Sequence, residues 1–318
     1  MTDYKDIIGL DVEAKSDNPT NVITGEIWFN TTTGKLRYKK PDGAAAWSTG
    51  GDLNVGRRFH GGSGTQTAAL AFGGIGVTPP HAGISQALSE EYNGEAWTEG
   101  NDLNTARYSM ADYGTQTAAG SVGGFGPGSG STIHENYNGT SWSETTDTNS
   151  NKRYAKGDGT QTAALVHTFD GTELYNGSSW TEVNDVNQTA LFAASSGEST
   201  AALSFGGSPN GSATSAKTES WNGTSWTEVN AINTAKQKLG GTGTATAALA
   251  FAGVSTKTTE SFNGTSWTEL NDLSLDMPET AGSGTTTAGL AFGGALPGNA
   301  AKTEEFSPVD GTQTVDDA

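Results

Sequence analysis

Few residues in this chain have the type and spacing that chemistry requires. The four histidines, His60, His81, His134 and His167, are far apart in the sequence and lack the short spacing of metal ligands. The 318 residues include no cysteine, which excludes disulfides and thiolate metal sites. We therefore predict neither a metal site nor a cofactor.

A recurring acid is the second chemical signal. Glu99, Glu182, Glu228 and Glu269 each follow a Trp by two residues. A glycosidase needs two facing carboxylates about 5–10 Å apart, whereas these acids recur once per repeat, where a solvated surface explains them. The sequence also lacks a Gly-x-Ser-x-Gly elbow and a phosphate-binding loop. The pattern predicts a protein without an enzymatic active site.

Basic residues recur between the repeats, at positions that match in the sequence: Arg57, Arg107, Arg153 and Lys236. They could form a cationic ring on a binding face, joined by His81 from a long loop nearby. They could instead pack on an aromatic side chain of the neighbouring repeat and hold the crossing in place. Both interpretations stay open at this stage.

The overall charge limits the classes of partner that the protein could bind. A formal net charge of −18 argues against nucleic acid and against an anionic membrane surface, because phosphate binding needs clustered Lys and Arg. No apolar run approaches the roughly 20 residues of a membrane span, so we expect no membrane insertion. The N-terminus lacks the basic and apolar regions of a signal peptide.

Two repeated phrases define the elements that must position these residues. Versions of GTQTAALAFGG begin at Gly64, Gly114, Gly159, Gly197, Gly243 and Gly284. Versions of YNGTSW end at Trp97, Trp142, Trp180, Trp226 and Trp267. The period of 38 to 46 residues lies in the range of propeller blades.

Each repeat predicts four short strands. An inner strand precedes the GTQT turn, and a second strand ends at a diglycine. A third ends at an aromatic residue, an Asn-Gly turn follows, and the outer strand opens with Trp. Small residues suit strands that converge on an axis, and large aromatic residues fill the wider space outside.

Strand counting predicts how the ring closes. Six inner strands are followed by only five complete outer strands, but AAAWSTGGDLN around Trp47 matches the outer strand of the first full repeat. We therefore predict an all-β fold in which residues 47–308 form a six-bladed β-propeller closed by an N-terminal strand. Closure also removes exposed sheet edges.

The order of these features resembles the kelch repeat over roughly residues 47–307. Asp170-Gly171 and Ala252-Gly253 depart from the diglycine and are interpreted as degenerate blades. The resemblance implies that the loops after each diglycine share one face with the crossings between blades. Variable loops on a rigid frame are where binding usually occurs, so this face is the predicted binding face.

Residues 1–46 lie outside the repeats. GEIWFNTTTGKLRYKK predicts a small β-hairpin, whose apolar residues Ile27, Trp28, Phe29, Leu36 and Tyr38 need a covering surface. This hairpin is a candidate for docking to a particle or to another subunit. Residues 309–318 are predicted to form a polar C-terminal tail.

A second resemblance spans the whole chain. The MTDYKDI opening, the GEIWFNTTTGKL hairpin and the repeated phrases look like structural proteins of marine bacteriophages, cyanophages especially. The resemblance implies a virion location, as a fibre, tail or capsid-surface component that displays its propeller for host or partner contact. It also implies contacts between the N-terminal segment and other virion proteins.

Two alternatives stay open beside this interpretation. A lectin-like propeller would bind a host surface glycan or protein, and a polysaccharide-degrading enzyme would cleave such a glycan. A homo-oligomer is compatible with either.

Overall fold

The computed structural model describes residues 13–16, 27–32, 35–39, 45–126, 130–169, 171–307 and 312–314. These residues form β-strands, numbered β1 to β30 in chain order, and contain no helix. The chain divides into two compact units. One comprises Met1–Ala46 with Pro308–Ala318, and the other is Trp47–Ser307.

The first unit contains a four-stranded sheet in the order β1-β2-β3-β30. Its strands are β1 (Glu13–Lys15), β2 (Ile27–Asn30), β3 (Lys35–Lys39) and β30 (Thr312–Thr314). The antiparallel pair of β2 and β3 is the predicted hairpin, with Ile27 opposite Tyr38. The prediction of a C-terminal tail is wrong for residues 312–314, because β30 pairs with β3.

The second unit contains six four-stranded antiparallel sheets arranged as a β-propeller, as predicted. From the inside outward, blade 1 consists of β6 (Gly61–Thr65), β7 (Ala68–Phe72), β9 (Ser89–Tyr92) and β10 (Trp97–Glu99). Blade 2 consists of β11 (Ala111–Thr115), β12 (Ala118–Val122), β13 (His134–Tyr137) and β14 (Trp142–Glu144). Blade 3 consists of β15 (Lys156–Thr160), β16 (Ala163–Thr168), β17 (Gly171–Tyr175) and β18 (Trp180–Val183).

The remaining blades follow the same pattern. Blade 4 consists of β19 (Ala194–Glu198), β20 (Ala201–Phe205), β21 (Thr218–Trp221) and β22 (Trp226–Val229). Blade 5 consists of β23 (Gly240–Thr244), β24 (Ala247–Phe251), β25 (Thr259–Phe262) and β26 (Trp267–Leu270). Blade 6 consists of β27 (Ala281–Gly284), β28 (Gly289–Phe292), β29 (Thr303–Ser307) and β4 (Ala46–Thr49). The short strands β5 (Arg57–Arg58) and β8 (Ile75–Gly76) pair beside blade 1.

The position of β4 confirms the predicted closure. β4 is the outer strand of blade 6, in the order β27-β28-β29-β4. Its Trp47 packs between Phe251 of blade 5 and Phe306 of blade 6, with ring centroids 5.0 and 5.1 Å apart. The indole N–H donates to the Thr259 hydroxyl at 2.8 Å. The strand thus completes one blade and also joins it to the preceding blade.

The same kind of contact fills the space between other blades. Trp142 of blade 2 lies 4.8 Å from Phe72 of blade 1, and Trp97 of blade 1 lies 4.9 Å from Phe292 of blade 6. Aromatic pairs at this spacing add to the stabilisation from burial. The apolar core is therefore divided into small clusters between and within blades.

The antiparallel strands give the propeller two distinct faces. The turn face carries the GTQT and Asn-Gly turns, and the loop face carries the loops after the second strands and the crossings between blades. On the turn face, the Gln116 amide donates to the carbonyls of Ala69 and Tyr92 in the preceding blade. On the loop face, Gly74 N–H donates to the Arg107 carbonyl at 2.9 Å, which joins a loop to the next crossing.

Candidate binding face

Buried glutamates anchor the crossings of the loop face. Each third strand carries one such glutamate, no more than 2% exposed: Glu90, Glu135, Glu173, Glu219, Glu260 and Glu304. They accept hydrogen bonds from the crossing that leads into their own blade. The Glu90 carboxylate, for example, accepts from Asn54 N–H at 2.7 Å and from Val55 N–H at 3.3 Å.

Sequence reasoning did not single out these glutamates. The available signal is their place two residues before the aromatic residue at the end of each third strand. Because an acid is expected on the surface, its repetition beside an aromatic residue resembles ordinary strand alternation. Only the crossing that covers the acid shows that it is buried.

Four crossings add a cation to the buried glutamate. The pairs are Arg57–Glu90 at 2.6 Å, Arg107–Glu135 at 2.6 Å, Lys152–Glu173 at 2.8 Å and Lys236–Glu260 at 3.2 Å. The interpretation as an exposed cationic ring is therefore wrong for Arg57, Arg107 and Lys236, whose side chains are fully buried. They hold the crossings, as the other interpretation has it, but their partner is a carboxylate and not an aromatic ring.

The third predicted member of that ring was one position out of register. Lys152, not Arg153, takes the place that matches Arg57 and forms the buried pair. The Arg153 guanidinium lies 5.2 Å from the Phe169 ring centre, and the side chain is half-buried. His81 is half-buried in the long loop of blade 1, and its role in binding stays a prediction.

Burial sets the electrostatics of these pairs. It lowers the pKa of the Arg57 guanidinium, and the facing Glu90 only partly restores it. Burial likewise lowers the pKa of Lys236, against the attraction of Glu260. For Glu173, burial alone would raise the pKa, but hydrogen bonds from Lys152 and Asn149 bring it below its usual value. The facing carboxylate therefore offsets part of the cost of burying the charge of Arg57 and of Lys236.

In the part of the chain that the structure describes, the two remaining crossings have no cation beside the glutamate. Ala190 and Met277 occupy the matching positions in blades 4 and 6. There, Glu219 accepts from Asn187 N–H at 2.8 Å, and Glu304 accepts from Ser274 N–H at 2.9 Å. Backbone N–H groups are thus the shared partners of the carboxylates, and the cation is an addition.

Each crossing also places a residue with a left-handed backbone near the axis. This residue comes two positions after the one that matches Arg57, whether or not that residue is a cation. These residues have φ between 52 and 67°: Phe59, Ser109, Tyr154, Phe192, Lys238 and Glu279. Neighbours bond through the backbone: Ser109 N–H donates to the Phe59 carbonyl at 2.8 Å, and Phe59 N–H donates to the Glu279 carbonyl at 3.2 Å. Strain of this kind persists only where surrounding contacts enforce it, so the ring is a fixed feature of the loop face.

Aromatic side chains of this ring meet on the axis. Phe59 of blade 1 and Phe192 of blade 4 stack at 5.8 Å, and Tyr154 lies 4.4 Å from Phe192. The Lys238 ammonium lies 5.4 and 5.2 Å from the centres of the two phenyl rings. We call Phe59, Tyr154, Phe192 and Lys238 the axial cluster. All four side chains are half-buried and so present part of their surface to solvent.

The loop face also carries the exposed large apolar side chains of the described propeller. They are Ile84, which is 56% exposed, Val254, 40%, and Leu296, 39%. They belong to the loops of blades 1, 5 and 6, which are consecutive around the ring. Apolar groups gathered on one side of a molecule mark contact surfaces more often than scattered ones do.

The terminal sheet carries the predicted docking residues. Ile27 and Phe29 are 37% and 39% exposed, whereas Trp28 is fully buried. The backbones of Leu36 and Tyr38 lie opposite Phe29 and Ile27, but their side chains lie outside the described residues. Trp28 is therefore a packing residue of this unit, and Ile27 and Phe29 supply its exposed apolar surface.

No group of three or more His, Asp or Glu side chains is placed in the described residues to hold a metal ion. None of the described segments is a helix long and apolar enough to cross a membrane.

Comparison with known proteins identifies no family for the chain. A scan against protein-family models gave no match. A search of curated proteins gave no significant match.

Proposed function

We propose that this chain is a non-enzymatic structural protein of a bacteriophage particle that displays its propeller for contact with a host or partner molecule. The resemblance to marine phage proteins supports the virion location. The buried ion pairs and the ring closure support a rigid frame, which suits display better than a mobile one.

One observation carries the proposal. The exposed large apolar side chains of the described residues fall in two places, one in each unit. Ile27 and Phe29 lie on the terminal sheet, and Ile84, Val254 and Leu296 lie on the loop face. One surface would attach the chain to the particle, and the other would make the outward contact.

The test distinguishes the roles of these two surfaces by mutating each of them in the phage that carries the gene. A variant with Ile27→Ser and Phe29→Ser is compared with one carrying Ile84→Ser and Val254→Ser. Purified particles are assayed for the chain by mass spectrometry and for adsorption to host cells. We expect the first variant to be lost from particles by about tenfold or more, as removal of buried apolar area predicts, and the second to be retained but to adsorb poorly.

The outcomes that contradict the proposal are distinct. Absence of the wild-type chain from particles would refute the virion location. Normal incorporation of the first variant would refute docking through the terminal sheet. Thermal unfolding of both variants shows whether any loss reflects misfolding.

The axial cluster favours a second candidate, a glycan-binding propeller. Partly exposed aromatic faces pack against the C–H faces of sugar rings, and the Arg58 side chain beside them is 38% exposed and offers hydrogen-bond donors. Binding of host polysaccharide that is lost in Phe192→Ala would support this candidate. Release of reducing sugar would instead contradict the non-enzymatic part of the proposal.

A further inference from the structure

A cavity of about 260 Å³ lies on the propeller axis, between the inner strands of all six blades. Those strands, β6, β11, β15, β19, β23 and β27, each pair on one side only. Their other edge faces the axis and presents backbone N–H and C=O groups. Much of the remaining wall is glycine, so polar backbone dominates the lining.

The cavity is obstructed towards the loop face, where the rings of Phe59 and Phe192 stack 5.8 Å apart across the axis. Its lining extends in the other direction to the ends of the inner strands, where Glu198 is exposed on the turn face. A molecule would therefore enter from the turn face.

Acidic side chains concentrate on one side of this cavity. Asp112, Asp158 and Glu198 come from the consecutive blades 2, 3 and 4, and Lys156 is the lining residue with a positive charge. His60 also lines the cavity, but burial, followed by the charges of Arg57 and Lys156, lowers its pKa well below the usual value. The imidazole is therefore neutral at pH 7, and the lining is negative overall.

Asp158 is the most unusual group in the lining. At the same strand position in other blades, a hydroxyl donates to a backbone carbonyl of the next blade, as Ser63 does to Tyr113 at 3.1 Å and Thr242 to Gly284 at 2.7 Å. Blade 3 has a carboxylate instead, 5% exposed, whose Oδ2 has no hydrogen-bond partner among the described residues. The His167 Nε2 is 4.0 Å away, too far for a hydrogen bond.

The buried Asp158 and the half-buried Asp112 both resist ionisation. Burial raises the pKa of Asp158 to about 8, and the charges of Asp112 and Glu198 contribute, while Ser195 and Lys156 oppose the rise. Burial raises the pKa of Asp112 to about 6, against the influence of Lys156 and of Gly62 N–H. Lys156 thus offsets only part of the burial cost.

We propose that the axial cavity binds a small organic ammonium ion, with its N–H groups donated to Asp158 and Asp112. The negative charge of the lining, to which Asp112 and Glu198 contribute on the side of Asp158, favours a cationic donor over an anion. The volume lies below the about 300–1,000 Å³ typical of drug-sized ligands, so the cavity admits a small amine. A bare metal ion is disfavoured because no three His, Asp or Glu side chains of the described residues are placed to hold one.

The first experiment is calorimetric titration of the full chain at pH 7 with 1,4-diaminobutane, with 1,4-butanediol as its neutral counterpart. We expect the diamine to bind and the diol to bind at least about tenfold more weakly, a difference of about 1.4 kcal/mol. At pH 7 Asp158 is mostly protonated, so binding of the ammonium ion should release up to about one proton. Titrations in buffers with different ionisation enthalpies measure that release.

Variants assign the binding to the cavity. Asp158→Asn keeps the size of the side chain, removes a buried ionisable group and should fold at least as well as the wild type. It should weaken diamine binding at least about tenfold. Glu182→Gln, on the exposed outer strand of the same blade, is the matched control and should bind normally.

The ammonium group could belong to a free amine or to a lysine side chain of a partner protein. Nα-acetyl-lysine methylamide separates these sources: binding in competition with the diamine indicates a lysine, and binding of the diamine alone indicates a free amine. Equal binding of the diol, undiminished binding by Asp158→Asn, or no binding of either amine at millimolar concentration would overturn the proposal. None of these results bears on incorporation into particles.

Discussion

The Arg57 guanidinium donates to Glu90 Oε1 at 2.6 Å, with only 0% and 1% of the two side chains exposed. Glu90 also accepts from two backbone N–H groups and the Asn54 amide of the same crossing. The carboxylate therefore organises the crossing, and the arginine balances its charge. Blade 6 keeps the carboxylate, as Glu304, with Met277 in place of the arginine.

Because the carboxylate organises the crossing, removal of Glu90 should destabilise the protein more than removal of Arg57. Glu90→Ala should lower the free energy of unfolding by about 3–5 kcal/mol, because it leaves the buried Arg57 without its carboxylate and two backbone N–H donors without their acceptor. Arg57→Met should lower it by less, since the backbone donors to Glu90 remain. Urea unfolding of the full chain measures both.

The exposed pair Lys217–Glu228, at 3.1 Å, is the control for these variants. Its side chains are 50% and 60% exposed, so Lys217→Ala should change stability by less than about 1 kcal/mol. A larger effect of Arg57→Met than of Glu90→Ala would contradict the central role of the carboxylate.

Trp47 should control the integrity of the ring. It contacts Phe251 and Phe306 and bonds to Thr259, so Trp47→Ala should lower the free energy of unfolding by about 3–5 kcal/mol. Deletion through Gly51 removes β4, whereas deletion through Gly43 retains it. Thermal unfolding should show a much larger loss for the longer deletion. Equal losses would mean that β4 is dispensable for closure.

Asp158 should make the propeller less stable as the pH rises. Its pKa is about 8 when folded, against about 3.9 in an unfolded chain. Between these values the folded state holds a proton that the unfolded state has lost, so stability falls with increasing pH, by up to about 1.4 kcal/mol per unit. The difference in unfolding free energy between Asp158→Asn and wild type should therefore grow from pH 4 to 8. For Asp112→Asn it should stop growing near pH 6, where the pKa of Asp112 lies. A flat difference for Asp158→Asn would refute the burial of its charge.

His167 should act in the opposite direction. Burial lowers its pKa to about 3, against about 6.5 unfolded. Its contribution to stability is present above about pH 6.5 and is lost as the pH falls towards 3. His167→Phe removes the group that takes up a proton on unfolding, so it should reduce the loss of stability in acid. Phenylalanine should fit at this position, since Phe72 and Phe205 occupy the matching register in blades 1 and 4. Unfolding measured from pH 7 to 4 tests this, and an unchanged acid slope would contradict it.

The sequence predicted the propeller well because its signals are local and repeated. Glycine turns, alternating strands and a Trp in each repeat identify the four strands of a blade, and a count of inner and outer strands placed Trp47 in blade 6. The buried glutamates escaped notice because alternation alone cannot show which crossing covers a side chain. The prediction chose Arg153 instead of Lys152 for a related reason. Two adjacent basic residues are equivalent in the sequence, and only the structure shows that Lys152 is the buried one.

The sequence by itself determined the number of blades, their strand content and the closing strand, since each follows from residue type and spacing along the chain. Only the tertiary structure decided that Asp158 lies unpartnered in an axial cavity, that Phe59 meets Phe192 across the axis, and that Thr312–Thr314 pairs with β3. These relationships join residues far apart in the sequence. Their energies depend on burial and distance, which exist only once the ring has closed.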